Sequence, residues 1–174
     1  MNESLVMTVI GKDRPGLVER LAAIVGEHGG NWEESRMVRL AGEFAGLLRV
    51  KVPAERIEAM AEALGRVEEL TLIWERGVAE AEQPATRRLR VEVVGQDHPG
   101  IVHRLAATLA ARGINIEELE SELVHAPMSG ERLFRATASL RAPESVGVES
   151  LERQLEELAA DLMVDVELHE PGEG

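Results

Sequence analysis

Val-Ile-Gly-Lys-Asp-Arg-Pro-Gly-Leu-Val, residues 9–18, occurs a second time as Val-Val-Gly-Gln-Asp-His-Pro-Gly-Ile-Val, residues 93–102. The two stretches lie 84 positions apart and align without a gap. The same register continues further, so that residues 29–34 (Gly-Gly-Asn-Trp-Glu-Glu) align with residues 113–118 (Gly-Ile-Asn-Ile-Glu-Glu). A repeat at a fixed period predicts two copies of one structural unit.

Each copy of the stretch ends an apolar run and leads into a helical pattern. Helix-spaced apolar residues alternate along the chain with runs of period two, as where Leu48, Val50 and Val52 alternate with Arg49 and Lys51. The order strand-helix-strand-strand-helix-strand in each unit predicts an α+β fold of two ferredoxin-like βαββαβ sandwiches in tandem. Their antiparallel sheets carry helices on one face. The predicted strands are 5–10, 31–40, 44–52, 70–74, 89–93, 115–124, 132–141 and 164–168, and the predicted helices are 17–25, 57–64, 101–109 and 148–158.

The domain boundaries follow from the repeat. We predict a first domain over residues 1–76, a linker over 77–86 where no apolar period is evident, and a second domain over 87–170. Pro143 matches Pro53 at an offset of 90, so the connection at 125–131 is six residues longer than its counterpart in the first unit.

Composition excludes several classes of function. A formal charge of −13 argues against direct binding to nucleic acid or to an anionic membrane, because both attract basic surfaces. The absence of cysteine excludes disulfides, Fe–S clusters and thiol catalysis, and it suits the cytoplasm. No apolar run approaches the roughly 20 residues that span a bilayer. We therefore expect a cytoplasmic protein that needs no cofactor.

The two predicted sheets differ on the face that no helix covers. In the second unit this face carries charged and small polar residues, which predicts a solvated surface. In the first unit it is less charged, with Val6, Thr8 and Ile73 beside Arg49 and Lys51, and we expect it to be partly covered.

The repeated loop has a chemistry of its own. Asp13 and Asp97 could cap the following helix, and the prolines that follow suit a first helical turn. Gly16 and Gly100 have no side chain and would let a small molecule approach the backbone. The free N–H groups and the dipole of the helix favour a carboxylate at that position.

These motifs resemble those of the ACT domain family. The resemblance rests on Asp-x-Pro-Gly-[Leu/Ile]-Val at the first turn and on Gly-x-Asn-[Trp/Ile] at the start of the second strand, and it covers about nine-tenths of the chain. ACT domains are small ligand-binding regulatory modules that often sense amino acids, with the ligand between two domains near this loop and the edge of strand 2. The resemblance therefore implies a site drawn from Gly11, Asp13, Arg14, Gly16, Leu17, Asn31, Gly95, Asp97, His98, Gly100, Ile101 and Asn115.

The predicted function is that of a non-enzymatic regulator. It would bind an amino acid of the glycine or serine class, form a homodimer, and regulate transcription or metabolism through a protein partner and not through DNA. The alternative is a structural or allosteric adaptor of a metabolic enzyme whose loops are only turns. A small enzyme is the third reading, and no catalytic constellation supports it.

Three further groups of residues were candidates for chemistry. His98 and His103 lie five apart and do not share a helix face as a metal pair would, so no metal site is predicted. Arg14 or His98 could pair with a ligand carboxylate. Glu118, Glu120 and Glu122 alternate along one strand, where a charge row that protects the sheet edge is favoured over a cation site.

Overall fold

A computed structural model describes residues 1–68, 70–77, 85–126 and 130–170 of the chain. The chain divides into two compact units, residues 1–81 and 82–174. Within the described ranges, no helix is long and apolar enough to cross a membrane.

The first unit follows the predicted order of elements. It contains β1 (Asn2–Lys12), α1 (Leu17–Glu27), β2 (Asn31–Leu40), β3 (Glu43–Pro53), a 3₁₀ turn (Ala54–Arg56), α2 (Ile57–Gly65) and β4 (Leu70–Arg76). The strands form one antiparallel sheet in the order β2-β3-β1-β4.

The second unit repeats this topology. Its elements are β5 (Thr86–Gln96), α3 (Ile101–Ala110), β6 (Asn115–His125), β7 (Arg132–Pro143), α4 (Val148–Leu162) and β8 (Val164–His169). The sheet order β6-β7-β5-β8 is equivalent to that of the first unit. The predicted tandem α+β fold is confirmed. Of the predicted linker, residues 78–84 lie outside the described ranges, and β5 begins at Thr86.

Each unit has its own aliphatic core between its sheet and its two helices. In β1, the alternate residues Leu5, Met7 and Val9 are buried, and α1 packs Leu21 and Val25 against them at helical spacing. The second unit buries the equivalent residues of β5 and α3 in the same way. The faces opposite the helices remain open.

Both first helices end in the same glycine-dependent motif. In α1, the Gly30 N–H donates to the Val25 carbonyl (2.8 Å) and the Gly29 N–H donates to the Gly26 carbonyl (2.9 Å). This pair of bonds defines a Schellman cap, which needs the left-handed φ of +70° found at Gly29. Gly113 closes α3 with the equivalent bonds. The helix therefore stops just before β2 or β6 begins.

Candidate functional site

The repeated loop joins the first strand of each unit to its first helix. The helix begins at Leu17 or Ile101, and its N-cap is the glycine before it, Gly16 with φ +84° or Gly100 with φ +101°. These left-handed angles favour glycine over any residue with a side chain. Pro15 and Pro99 lie one position before the N-cap, so the prediction that they belong to the first helical turn is wrong by two residues.

The two aspartates do not cap their helices. Neither N-cap has a side-chain hydrogen bond in the structure, so the capping prediction for Asp13 and Asp97 is wrong. The Asp13 carboxylate instead lies 2.6 Å from Nε of Arg39, and the Asp97 carboxylate lies 3.4 Å from a guanidinium nitrogen of Arg132. An arginine thus offsets the negative charge that each aspartate brings to its loop.

Backbone hydrogen bonds hold each loop against the connection between the second and third strands. The Asp13 N–H donates to the Gly42 carbonyl (3.1 Å), and the Asp97 N–H donates to the Arg132 carbonyl (3.2 Å). Because the loop is fixed at this point, the glycine that follows is presented in one orientation.

Open space surrounds both N-cap glycines. A Cβ placed on Gly16 or Gly100 would meet no atom within 4 Å. Helix N-termini carry free N–H groups and a partial positive charge, and here no side chain caps them. Such a position can accept an anion. That a carboxylate binds at this loop stays a prediction.

The two loops differ in the charge that surrounds them. Glu19 lies in the first turn of α1, whereas His103 occupies the equivalent position of α3. Since an acidic residue in the first turn already interacts with the helix dipole, α3 offers the more favourable N-terminus for a carboxylate.

His98 bridges the second loop to the end of another helix. Its Nε2 lies 2.8 Å from the Leu162 carbonyl, and its Nδ1 lies 3.1 Å from the Pro99 carbonyl. Only the imidazolium can donate to both carbonyls, so the Leu162 carbonyl, and to a smaller extent the Pro99 carbonyl, raises the pKa of His98. Desolvation opposes this shift, and the carboxylate of Asp97 adds to it. The imidazole therefore contacts the C-terminus of α4, while its equivalent in the first loop is the exposed Arg14.

Comparison with known proteins identifies the family. ACT domain profiles match residues 3–75 and, separately, residues 89–159. The chain belongs to the ACT domain family. It consists of two ACT domains in tandem, and the family resemblance seen in the sequence is confirmed.

The relatives of this chain match nearly its whole length and so include both ACT domains. The glycine cleavage system transcriptional repressor of Escherichia coli (strain K12) is 27% identical over 161 residues, which cover 91% of this chain and 85% of the repressor. The crystal structure of an unknown protein from Galdieria sulphuraria is 31% identical, with a TM-score of 0.86 and coverage of 98% of this chain and 99% of that chain. The family and the repressor indicate a regulatory protein that binds small ligands.

A further crystal structure supports the fold alone. It is that of a protein provisionally assigned as a glycine cleavage system transcriptional repressor, with 23% identity and a TM-score of 0.70 over 97% of both chains.

The ACT topology separates the two halves of the predicted site within each unit. Asn31 pairs with Lys51 on β3, whereas Lys12, just before the loop, pairs with Glu43 on the same strand. These partners lie eight positions apart on β3, a distance of roughly 25 Å at the rise of a strand. Asn115 is separated from the second loop in the same way, through Arg141 and Leu133 of β7. The predicted helix between the loop and the asparagine was the sequence signal for this separation, because a helix of 11 residues carries the chain from one end of the sheet towards the other.

Three other predicted ligand residues have packing roles in their ACT units. A Cβ on Gly95 would lie 2.5 Å from Val164 Cγ1 and 2.7 Å from Val164 Cα, so β8 occupies the space beside this glycine. Ile101 is buried in the second core, and Leu17 packs against the first. Gly11 lies on β1 opposite Leu70.

The glutamate row of the second ACT unit is a solvated surface. Glu118, Glu120 and Glu122 share the open face, where Ser139 Oγ lies 3.5 Å from Glu118 and Arg135 lies 3.6 Å from Glu122. No cluster of three acidic or histidine ligands suited to a metal occurs among the described residues. Trp32 packs against the first core.

Proposed function

We propose that this chain is a cytoplasmic, non-enzymatic sensor that binds an amino acid of the glycine or serine class and passes the signal to a protein partner. One observation carries the proposal. Each ACT unit presents a helix N-terminus that no side chain caps, beneath a glycine with open space around it. Such a position accepts the carboxylate that every free amino acid carries.

The pairing of the loop aspartates supports a ligand with charges of both signs. An unpaired aspartate would repel a carboxylate, but Asp97 is partly neutralised by Arg132 and can still accept from an ammonium group. The open space at Gly100 suits a ligand with little or no side chain. We place the stronger site at the second loop because α3 has no acidic residue in its first turn.

Asn31 and Asn115 enter the proposal only as contacts to a ligand at the loop of another ACT unit. Asn31 and Asn115 lie about 25 Å along the sheet from the loop of their own unit, as the strand rise gives. An asparagine that contacts a bound ligand must therefore come from a different ACT unit, and a homodimer could supply it.

The proposed partner is a protein and not DNA. The net charge of −13 disfavours contact with a phosphate backbone. The relative from Escherichia coli is a transcriptional repressor, so we propose that the chain acts on a transcription factor or on a metabolic enzyme. A ligand that binds two arrangements of the sensor with different affinity would change how it presents itself to that partner.

Calorimetry with a matched pair of glycine variants tests the sensor. Glycine, L-serine and L-alanine are titrated into the full chain and into Gly100→Ala and Gly113→Ala. Both glycines have positive φ and room for a Cβ, at opposite ends of α3, so both substitutions introduce similar strain. We expect Gly100→Ala to lose at least about tenfold in affinity and Gly113→Ala to bind like the wild type.

Two results would overturn this assignment. If none of the amino acids binds the wild type, the chain is not an amino-acid sensor of this class, and the adaptor function becomes the better explanation. If both variants lose affinity equally, strain and not the loop accounts for the loss. The equivalent pair in the first unit, Gly16→Ala and Gly29→Ala, shows whether the first loop binds as well.

A further inference from the structure

The open face of the first sheet carries an apolar surface that no helix covers. Five of its residues are strongly exposed: Ile10 (48%), Val38 (60%), Leu40 (75%), Leu47 (49%) and Ile73 (63%). They lie on all four strands, with Val38 and Leu40 both on β2. Leu40 lies at the end of β2, beside the turn. We call the other four residues and their neighbours Val6, Thr8 and Ala45 the apolar face.

The strand register makes this surface continuous. Val38 pairs with Ala45, and Ala45 pairs with Ile10, which forms one row across three strands. In the next row Arg36 of β2 pairs with Leu47, Leu47 pairs with Thr8, and Thr8 pairs with Ile73. Directly paired residues point to the same side of an antiparallel sheet, so the two rows form one patch. Contiguous exposed apolar patches of this kind mark interaction sites.

The second unit shows that the fold does not require an apolar surface here. Its sheet has the same register, and the positions equivalent to Val38, Leu47 and Ile73 are occupied by Glu122, Thr137 and Glu167. A βαββαβ unit thus folds with charges on this face. The folding of the first unit therefore does not require the apolar residues on its open face.

Charge at the edge of the apolar face suits contact with an identical surface. Arg49 lies 3.0 Å from Glu34, and Lys12 pairs with Glu43. Arg36 lies beside Leu47 and Glu75 lies beside Val6, so three cationic and three anionic side chains surround the patch. Two chains of charge −13 repel each other over most of their surface. They can approach where the local charge is balanced, and an isologous contact requires one patch that faces itself.

The area of the whole open face suits a dimer. Its strands β1, β2 and β3 have 10 or 11 residues and β4 has seven. Strands about 4.8 Å apart, with a rise of about 3.3 Å per residue, give a flat area of up to roughly 19 by 30 Å, in which the apolar face is the centre and the charged residues are the rim. Stable interfaces bury about 800 Å² of accessible surface on each partner, and the relief of side chains raises the accessible area of a sheet above its flat area.

We propose that the apolar face is a homodimer interface, in which the first sheets of two copies of this chain pack face to face. The contact buries Ile10, Val38, Leu47 and Ile73 of each copy. It is independent of the ligand loops, so it can form whether or not the chain senses an amino acid.

The register supplies a matched pair of variants for the test. Leu47→Lys places a charge at the centre of the apolar face, whereas Thr137→Lys places the same charge at the equivalent position of the second sheet, between Glu92 and Glu120. Val38→Glu is a second variant that takes the residue found at this position in the second unit, which is compatible with the fold. Sedimentation equilibrium of the full chain over a range of concentrations gives the mass, and circular dichroism verifies folding.

We expect the wild type and Thr137→Lys to reach 38.0 kDa, twice the chain mass of 19.0 kDa. Leu47→Lys and Val38→Glu should weaken the dimer on the order of 30-fold or more, because each buries an unpaired charge in the interface. A wild type that stays at 19.0 kDa up to about 1 mM, which would put the dissociation constant above that of any stable dimer, overturns the proposal, as does a dimer that tolerates both folded variants. Amino-acid binding is measured separately, so loss of the sensor function leaves this result unaffected.

Discussion

The open faces of the two sheets differ while the rest of the two units is alike. Both units share strand order, register, glycine caps and an aliphatic core. Yet Val38, Leu47 and Ile73 in the first sheet stand where the second has Glu122, Thr137 and Glu167. Positions that hold the fold have been kept, and positions that face outward have diverged. The two units can therefore differ in function although they share one fold.

The largest effect is expected where the packing of the second unit leaves no space. Gly95→Ala places a Cβ 2.7 Å from the backbone of Val164, so β8 must move. We expect the free energy of unfolding to fall by about 3 kcal/mol, as overpacking does. Urea unfolding followed by circular dichroism measures the loss.

The tryptophans provide an internal control for this measurement. Both of them, Trp32 and Trp74, belong to the first unit, so their fluorescence follows that unit alone. Gly26→Ala in α1, where a Cβ meets nothing, should raise the fluorescence-detected stability by up to about 1 kcal/mol.

Unchanged stability in Gly95→Ala would contradict the packing described for the second unit, because it would show that β8 moves without cost to admit the Cβ.

The contrast between the open faces can be removed by substitution. Glu122→Val, Thr137→Leu and Glu167→Ile together give the second sheet the surface of the first. We expect the triple variant to associate beyond two copies, with an affinity gain on the order of 30-fold for the new contact, since each chain then carries two apolar faces. Sedimentation velocity at low and high protein concentration detects the larger species. A mass that remains equal to that of the wild type would mean that these positions do not direct association.

A smaller effect distinguishes the two hairpin connections. In the first unit Ala41 and Gly42 form a two-residue turn with φ of +51° and +84°, and alanine is strained at such an angle. Ala41→Asn creates the Asn-Gly pair that this turn favours and should raise the stability of the first unit by about 1 kcal/mol. Tryptophan fluorescence during unfolding measures the gain. Ala41→Val should have the opposite sign, and a loss of stability in both variants would refute the turn assignment.

The smallest effect concerns the loops, where His98 stands in place of Arg14. The pKa of His98 is raised in the folded chain by the Leu162 carbonyl first and by the Pro99 carbonyl second. Its stabilising contribution is therefore fully present below the ordinary histidine pKa of about 6.5 and is lost as the pH rises through the higher folded value. The melting temperature of the wild type should exceed that of His98→Gln most at pH 5.5 and least at pH 9.

The first loop supplies the control for this pH dependence. Arg14→Gln should change the melting temperature by a similar amount at both pH values, because arginine does not titrate in this range. If the difference between wild type and His98→Gln does not depend on pH, the imidazolium does not bridge the loop to α4.

Sequence predicted the fold well because the fold rests on local and repeated signals. The alternation of Leu48, Val50 and Val52 and the glycines at 29 and 113 define strand faces and helix ends within a few residues. The loop was identified as a helix N-terminus, but the capping role predicted for its aspartate was wrong. Asp13 pairs with Arg39, which is 26 positions away in sequence, and no local rule joins the two.

By itself the sequence determined the tandem ACT architecture, the glycines at the helix ends and the acidity of the chain. Each of these depends on short periods, on backbone angles that only glycine tolerates, or on a sum of charges. The tertiary structure alone decided that His98 reaches the end of α4. It also decided that Ile10, Val38, Leu47 and Ile73 form one surface. These relations are set by strand register and helix packing, which join residues that are distant in the chain and carry no mark of it in the sequence.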